Sequence, residues 1–129
     1  VLENVCFGLR LKKLSEEEQK EKAKYWLEKL GLWKLADRYP NEISGGEAQR
    51  VALARSVVVG FPVLLLDEPF SALDQQLRAE ARLAVRETVK ELKLATVLVT
   101  HDSDDILAIA DESCTMENGK IVQWNKKNF

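Results

Sequence analysis

Few thiols, a single histidine and no long apolar run bound what this sequence of 129 residues can be. Cys6 and Cys114 stand near opposite ends, with no C-x-x-C pair and no histidine cluster beside them. That argues against a zinc site and a disulfide framework, and makes a reduced, cytoplasmic setting the default. No apolar stretch approaches the roughly 20 residues of a membrane span, and no signal-peptide pattern opens the sequence. Attachment to a membrane partner stays open. Charge of one sign is missing as well: 19 basic against 21 acidic residues leave a net charge of −2. Bulk charge therefore calls for neither nucleic acid nor an anionic membrane as partner. Internal repeats and low-complexity segments are absent. What is there, 46% hydrophobic and 31% charged residues, is enough for one globular unit built on one core.

The most informative stretch is Val63-Leu64-Leu65-Leu66-Asp67-Glu68-Pro69, an apolar run that ends in two adjacent carboxylates. It is too short for a helix and reads as a strand buried on both faces. Carboxylates at the tip of such a strand need a partner, a metal or a proton. In open parallel α/β sheets that tip is also where ligands bind. A metal-ligating Asp67 beside a water-activating Glu68 explains the pair. A turn whose acids cap the next helix explains it equally.

Upstream, residues 1–14 offer no cap or turn signal, as if the chain were entered in the middle of something. Ser15-Glu16-Glu17-Glu18 is then a strong helix start, with a Ser three residues before a Glu and acids in the first turn. Ala23, Trp26, Leu27 and Leu30 repeat at helical spacing up to Gly31, predicting a helix from about Ser15 to Leu30. Leu32, Trp33 and Leu35 form a short apolar turn, and Arg38-Tyr39-Pro40-Asn41 breaks into a loop. Ile43-Ser44-Gly45-Gly46-Glu47 then precedes a helix carrying Ala48, Val51, Ala52, Leu53, Ala54 and Val57 to Val59. Paired glycines admit a bulky anion close to the backbone, a Ser hydroxyl donates to oxygen, and free first-turn N–H groups favour phosphate. An ordinary N-cap accounts for the same residues.

Downstream, Phe70-Ser71-Ala72-Leu73-Asp74 is a tight connection into a helix from about Gln75 to Leu94, with Leu77, Ala81, Ala84, Val85, Val89 and Leu92 as its buried stripe. Arg78, Arg82, Arg86 and Lys90 recur every four residues among Glu80, Glu87 and Glu91, which reads as a solvated face rather than a nucleic-acid surface. Ala95 to Thr100 is a second buried strand, tipped by the only histidine, His101, and Asp102. Two parallel strands joined by a helix put both tips on one edge, bringing Asp67, Glu68 and His101 together. Ser103-Asp104-Asp105 caps a short helix to about Ala110, with Ile106, Leu107, Ile109 and Ala110 as its apolar face. Cys114 to Gln123 reads as a hairpin around Asn118-Gly119, after which Lys126, Lys127 and Asn128 trail off.

Ile43-Ser44-Gly45-Gly46-Glu47-Ala48-Gln49-Arg50, the strand into Asp67-Glu68-Pro69, Ser71-Ala72-Leu73-Asp74 and Thr100-His101-Asp102, in that order, closely resemble the second half of an ABC-family ATPase domain. Asn4-Val5-x-Phe7-Gly8-Leu9 is similar to the start of the helical subdomain in bacterial importers, and Glu117 to Val122 to the hairpin after the switch histidine. The resemblance implies an α/β fold: a partial P-loop NTPase-like parallel sheet with flanking helices, lacking the phosphate-loop strand. Residues 1–60 would form the helical subdomain and signature helix, and residues 61–129 the partial ATPase core. It implies ATP and Mg²⁺ as ligands, with Asp67 holding the ion through water, Glu68 as general base and His101 contacting the γ-phosphate. Ser44, Gly45, Gly46 and Glu47, where the helix should start, would bind ATP held by a second ATPase subunit in a head-to-tail dimer. Asp74 would cross that interface. Transmembrane permease subunits are the further partners, which places the protein peripherally on the cytoplasmic face of the inner membrane; nucleic acid is not among them.

Departures are Ile43 and Glu47, where Leu and Gln are common, and the lack of any G-x-x-x-x-G-K-[ST] loop. The expectation is a fragment or excised subdomain that is inactive alone and hydrolyses ATP to drive solute transport when complete and dimeric. The alternatives are a non-catalytic interaction module and a DNA-repair ABC ATPase. Against the second stands the short helical insert without heptads.

Overall fold

The computed structural model describes residues 1–126. Helices α1 (Leu2–Cys6), α2 (Glu16–Lys29) and α3 (Gly45–Val57) come first, followed by β1 (Val63–Asp67), α4 (Gln75–Leu92), β2 (Ala95–Val99), α5 (Ser103–Ile109) and the strands β3 (Glu112–Glu117) and β4 (Lys120–Lys126). Short 3-10 turns cover Phe7–Lys12, Trp33–Leu35 and Pro40–Glu42.

Local signals account for the strongest elements. At the start of α2, Glu18 N–H donates to Ser15 Oγ at 3.2 Å and Ser15 N–H donates to the Glu18 carboxylate at 2.8 Å. The expected span was Ser15 to Leu30, and these two residues are the caps of Glu16–Lys29. Tyr39 is extended, as a residue before proline prefers, but Pro40–Glu42 winds one 3-10 turn where a loop was expected. Residues 1–14, which carried no helix signal, form α1, which packs against α2 and α3 and buries Val5, and a 3-10 turn whose Leu9 is buried in the same core. Tertiary packing makes this segment, since α1 lacks a side-chain cap.

Val5, Leu9, Leu27 and Leu32 are almost wholly inaccessible and share one core with Val51, Ala54 and Val57 of α3 and with Phe70, Ala81 and Val85. Each fully buried side chain of this size contributes about 1.5–3 kcal/mol relative to exposure. α3 thus joins the helices before it to the strands and helix after it.

β1 and β2 pair in parallel, with Leu65 opposite Val97 and Asp67 opposite Val99. The expectation that both strands are buried on both faces is corrected. Leu64 is 4% exposed and Leu66 packs on the core, but Leu65 is 73% exposed and Val63, Val97 and Val99 are more than half exposed. Helices cover one face of this two-stranded sheet, and nothing among the described residues covers the other.

The helix expected over 75–94 ends at Leu92, where Lys93 enters the left-handed region with φ 51°. In α5 the N-cap is Asp102, not the Ser103 to Asp105 stretch: its carboxylate accepts from Asp104 N–H at 2.9 Å. Leu107, expected on the apolar face, is 66% exposed, while Asp105 is buried. The hairpin forms as expected, with Asn118 and Gly119 both at positive φ, 49° and 76°. Lys126 does not trail off but ends β4, paired with Glu112 at 3.2 Å. Lys127 and Asn128 lie outside the described residues.

Candidate active site

The parallel register aligns the tips of β1 and β2, and the chain leaves β1 through a residue forced into an unusual conformation. Glu68 has φ 45°, in the left-handed region that costs a non-glycine residue roughly 1–2 kcal/mol. Its N–H donates to Val99 O of β2 at 2.9 Å, and its carbonyl accepts from the Ser71 hydroxyl at 3.0 Å, so the turn is held by β2 and by the connection that follows it. The bend aims the carboxylate across the tip of β2, where Glu68 Oε1 lies 2.8 Å from His101 Nδ1. An ionised carboxylate only accepts, so Nδ1 carries the proton in this contact, and Nε2 makes no hydrogen bond with any described residue. The hydrogen bond that Nδ1–H donates to Glu68, and then the charge of Glu68, raise the His101 pKa above its ordinary value.

Asp67, one residue back, is exposed and makes no hydrogen bond or ion pair with any described residue. No group of three or more His, Cys, Asp or Glu suited to a metal occurs among the described residues. That donor set suits Mg²⁺, which takes one or two carboxylates and completes its shell with water and phosphate, and does not suit a caged ion.

The start of α3 differs from the expected one by two residues: the helix begins at Gly45, with Ser44 as N-cap and Glu47 in the first turn. Glu47 N–H donates to Ser44 Oγ at 3.3 Å, and Ser44 N–H donates to the Glu47 carboxylate at 2.8 Å. This backbone bond, more than any charge, lowers the Glu47 pKa. Glu47 is therefore committed to holding the cap. The Ser44 hydroxyl proton and the N–H groups of Gly45 and Gly46 have no partner among the described residues, as first-turn donors of a helix usually lack one within it. The two glycines are not equivalent. Gly46 is buried, and a Cβ there would sit 3.0 Å from Leu77 Cδ2; at Gly45 the nearest atom, Leu73 Cδ2, is 3.7 Å away. The bareness of Gly46 thus serves packing against α4, and Gly45 faces outward.

Asp74 caps α4, accepting from Leu77 N–H at 3.0 Å. Because Leu73 and Leu77 are the residues against which the glycines lie, the Asp74 turn and the start of α3 are neighbours. Gln49 of α3 donates to Pro69 O, tying that helix to the turn that carries Glu68. The structure joins Glu68 directly to His101, while no hydrogen bond or ion pair links the Ser44 to Glu47 cap to that pair among the described residues.

Sequence reasoning missed the residues behind His101. Arg78 and Arg82, expected on a solvated face, turn inward: Arg82 Nε donates to Asp105 at 2.5 Å and its Nη2 to Asp102 at 2.8 Å, while Arg78 donates to Asp102 and to Leu73 O, each at 3.0 Å. Only Arg86 and Lys90 of that row are exposed. The signal available in the sequence was complementary spacing, two arginines four apart before the histidine strand and two aspartates three apart after it.

The sequence model of the ABC transporter family matches residues 1–71. A Chlorella vulgaris protein named as a probable sulfate/thiosulfate import ATP-binding protein, CysA, is 45% identical over 95% of this chain, which spans 52% of that protein. The spermidine/putrescine import ATP-binding protein PotA of Trichodesmium erythraeum is 45% identical over 95% of the chain, which spans 32% of its length. The chain thus covers about half or less of these relatives. A solved structure described as an inward-facing conformation of an ABC transporter of metal-chelate type superposes with a TM-score of 0.88 at 24% identity, over 97% of this chain and 52% of that one, a likeness of fold.

Proposed function

Because this chain belongs to the ABC transporter family, we propose that it supplies the hydrolytic carboxylate, the phosphate-contacting histidine and the signature helix of an importer ATPase that hydrolyses ATP to drive solute uptake. The observation that carries this reading is the 2.8 Å contact between Glu68 and His101 at the tips of two paired parallel strands, with Asp67 unpartnered beside it. Glu68 takes a proton from, or orients, the attacking water, and His101 offers Nε2 to the γ-phosphate. Asp67 would hold Mg²⁺ through its water shell, and the ion would neutralise phosphate charge. Ser44, Gly45 and Gly46 receive the γ-phosphate of ATP bound to a second, head-to-tail subunit, with Glu47 holding the cap rather than touching phosphate. Asp74, beside that cap, faces the same partner.

The import direction rests on the relatives' names; the cargo is not assigned. On this reading residues 1–60 form the helical subdomain and signature helix, and residues 61–129 the ATPase core. The protein sits on the cytoplasmic face of the inner membrane beneath permease subunits; no helix among the described residues is long and apolar enough to cross a membrane. With no G-x-x-x-x-G-K-[ST] in these residues, the 129-residue chain hydrolyses no ATP by itself and does so once a polypeptide bearing that loop completes the site. Phosphate release measured with and without such a complement tests this. Turnover by the chain alone, or none in the assembled pair, overturns it; the second result favours a non-catalytic interaction module.

A further inference from the structure

His101 is held in an unexpected way. Its imidazole is 79% exposed and its polar contact is with Glu68 alone, so packing around the ring does not fix it. The backbone on either side of it is fixed instead. Thr100 Oγ1 donates to Asp105 Oδ2 at 2.6 Å and accepts from Asp102 N–H at 3.0 Å, so one hydroxyl pins the residue before His101 and the residue after it. Asp105 is 3% exposed, a buried carboxylate whose other oxygen takes the Arg82 Nε–H. Arg82 reaches on to Asp102, and Arg78 ties Asp102 to the carbonyl of Leu73, next to Asp74. A buried charge of this kind needs its partners, because removing one leaves the other uncompensated.

We propose that Thr100, Asp105 and Arg82 are positioning residues that set the His101 imidazole against Glu68, with Asp102 and Arg78 extending the same network to the Asp74 turn. None of the three touches the reacting atoms. They act by fixing the three-residue turn between β2 and α5, Thr100 to Asp102, that His101 occupies, and the network joins that turn to the start of α4. Its importance for turnover rests on the reading of Glu68 and His101 as the hydrolytic pair, whereas the geometry of the pair does not.

His101 is the only histidine of the 129 residues, so its ring-nitrogen signals in long-range ¹H–¹⁵N NMR spectra of the full chain are unambiguous. Glu68→Gln marks the spectrum of an imidazole that has lost its carboxylate. Thr100→Val, which removes the hydroxyl and keeps the shape, is expected to move the His101 signals from the wild-type position toward the Glu68→Gln position; Thr100→Ser is expected to restore them. Asp105→Asn should move them the same way, and if it unfolds the chain the Thr100 pair carries the test. A network that merely staples α5 to α4 would lower stability and leave the His101 signals in place. Wild-type signals in folded Thr100→Val overturn the proposal. Failure of the hydrolytic reading appears elsewhere, as Glu68→Gln without effect on turnover in the assembled ATPase.

Discussion

At the tips of the paired strands β1 and β2, the Glu68 carboxylate and the His101 imidazole meet at 2.8 Å. Their contact has a pH signature. The folded-state pKa of His101 is raised above its ordinary value by the hydrogen bond and charge of Glu68. The pair therefore stabilises the fold fully below the ordinary histidine value of about 6.5, and the contribution is lost as pH rises through the raised value. An NMR titration of His101 is expected to give a midpoint above the ordinary one, and Glu68→Gln to lower it. Glu68 and His101 were legible in the sequence because each follows an apolar strand and a helix joins the two parallel strands, which brings their tips together; Arg82 and Asp105 were not. A helix row of alternating charge ordinarily faces water, and it turns inward here only because α5 brings a buried carboxylate against it. That is a fact of packing between elements, which local spacing does not encode.

Among the elements, the start of α2 was read most faithfully, since a cap is satisfied within four residues: Ser15 forms the reciprocal pair with Glu18 that its spacing announced, whereas α3 begins two residues before the expected Glu47 and closes the same kind of pair between Ser44 and Glu47. Ser44→Ala is expected to cost about 0.5–2 kcal/mol of stability through the lost α3 cap, read by chemical denaturation, independently of any loss of nucleotide contact. Strand burial was read less well. An all-apolar run such as Val63 to Leu66 does not say whether one face or both are covered, and here the helices cover only the Leu64 and Leu66 side. α1 was missed because its stability comes from Val5 and Cys6, buried where α1 packs against α2 and α3, rather than from a cap or turn residue.

For the molecule as a whole, an open sheet face of Val63, Leu65, Val97 and Val99 is a contiguous apolar surface of a kind soluble monomers rarely leave bare. The 129-residue chain is expected to self-associate with rising concentration in sedimentation experiments, and Leu65→Lys, a charge at the most exposed of the four, to shift it toward monomer. If Leu65→Lys leaves the association unchanged, that face is not the sticky one. In the family fold the proposed hydrolytic pair, Glu68 and His101, lies at the strand tips and the Ser44-Gly45-Gly46 helix start beside the Asp74 turn, so the proposed function turns on Glu68. The most direct measurement is steady-state ATP hydrolysis by the chain assembled with a polypeptide that supplies the phosphate loop, comparing wild type with Glu68→Gln. Hydrolysis is expected to fall by about 10²–10⁴-fold, the usual worth of a general base, while ATP binding persists. Hydrolysis at the wild-type rate in Glu68→Gln would contradict the proposed function.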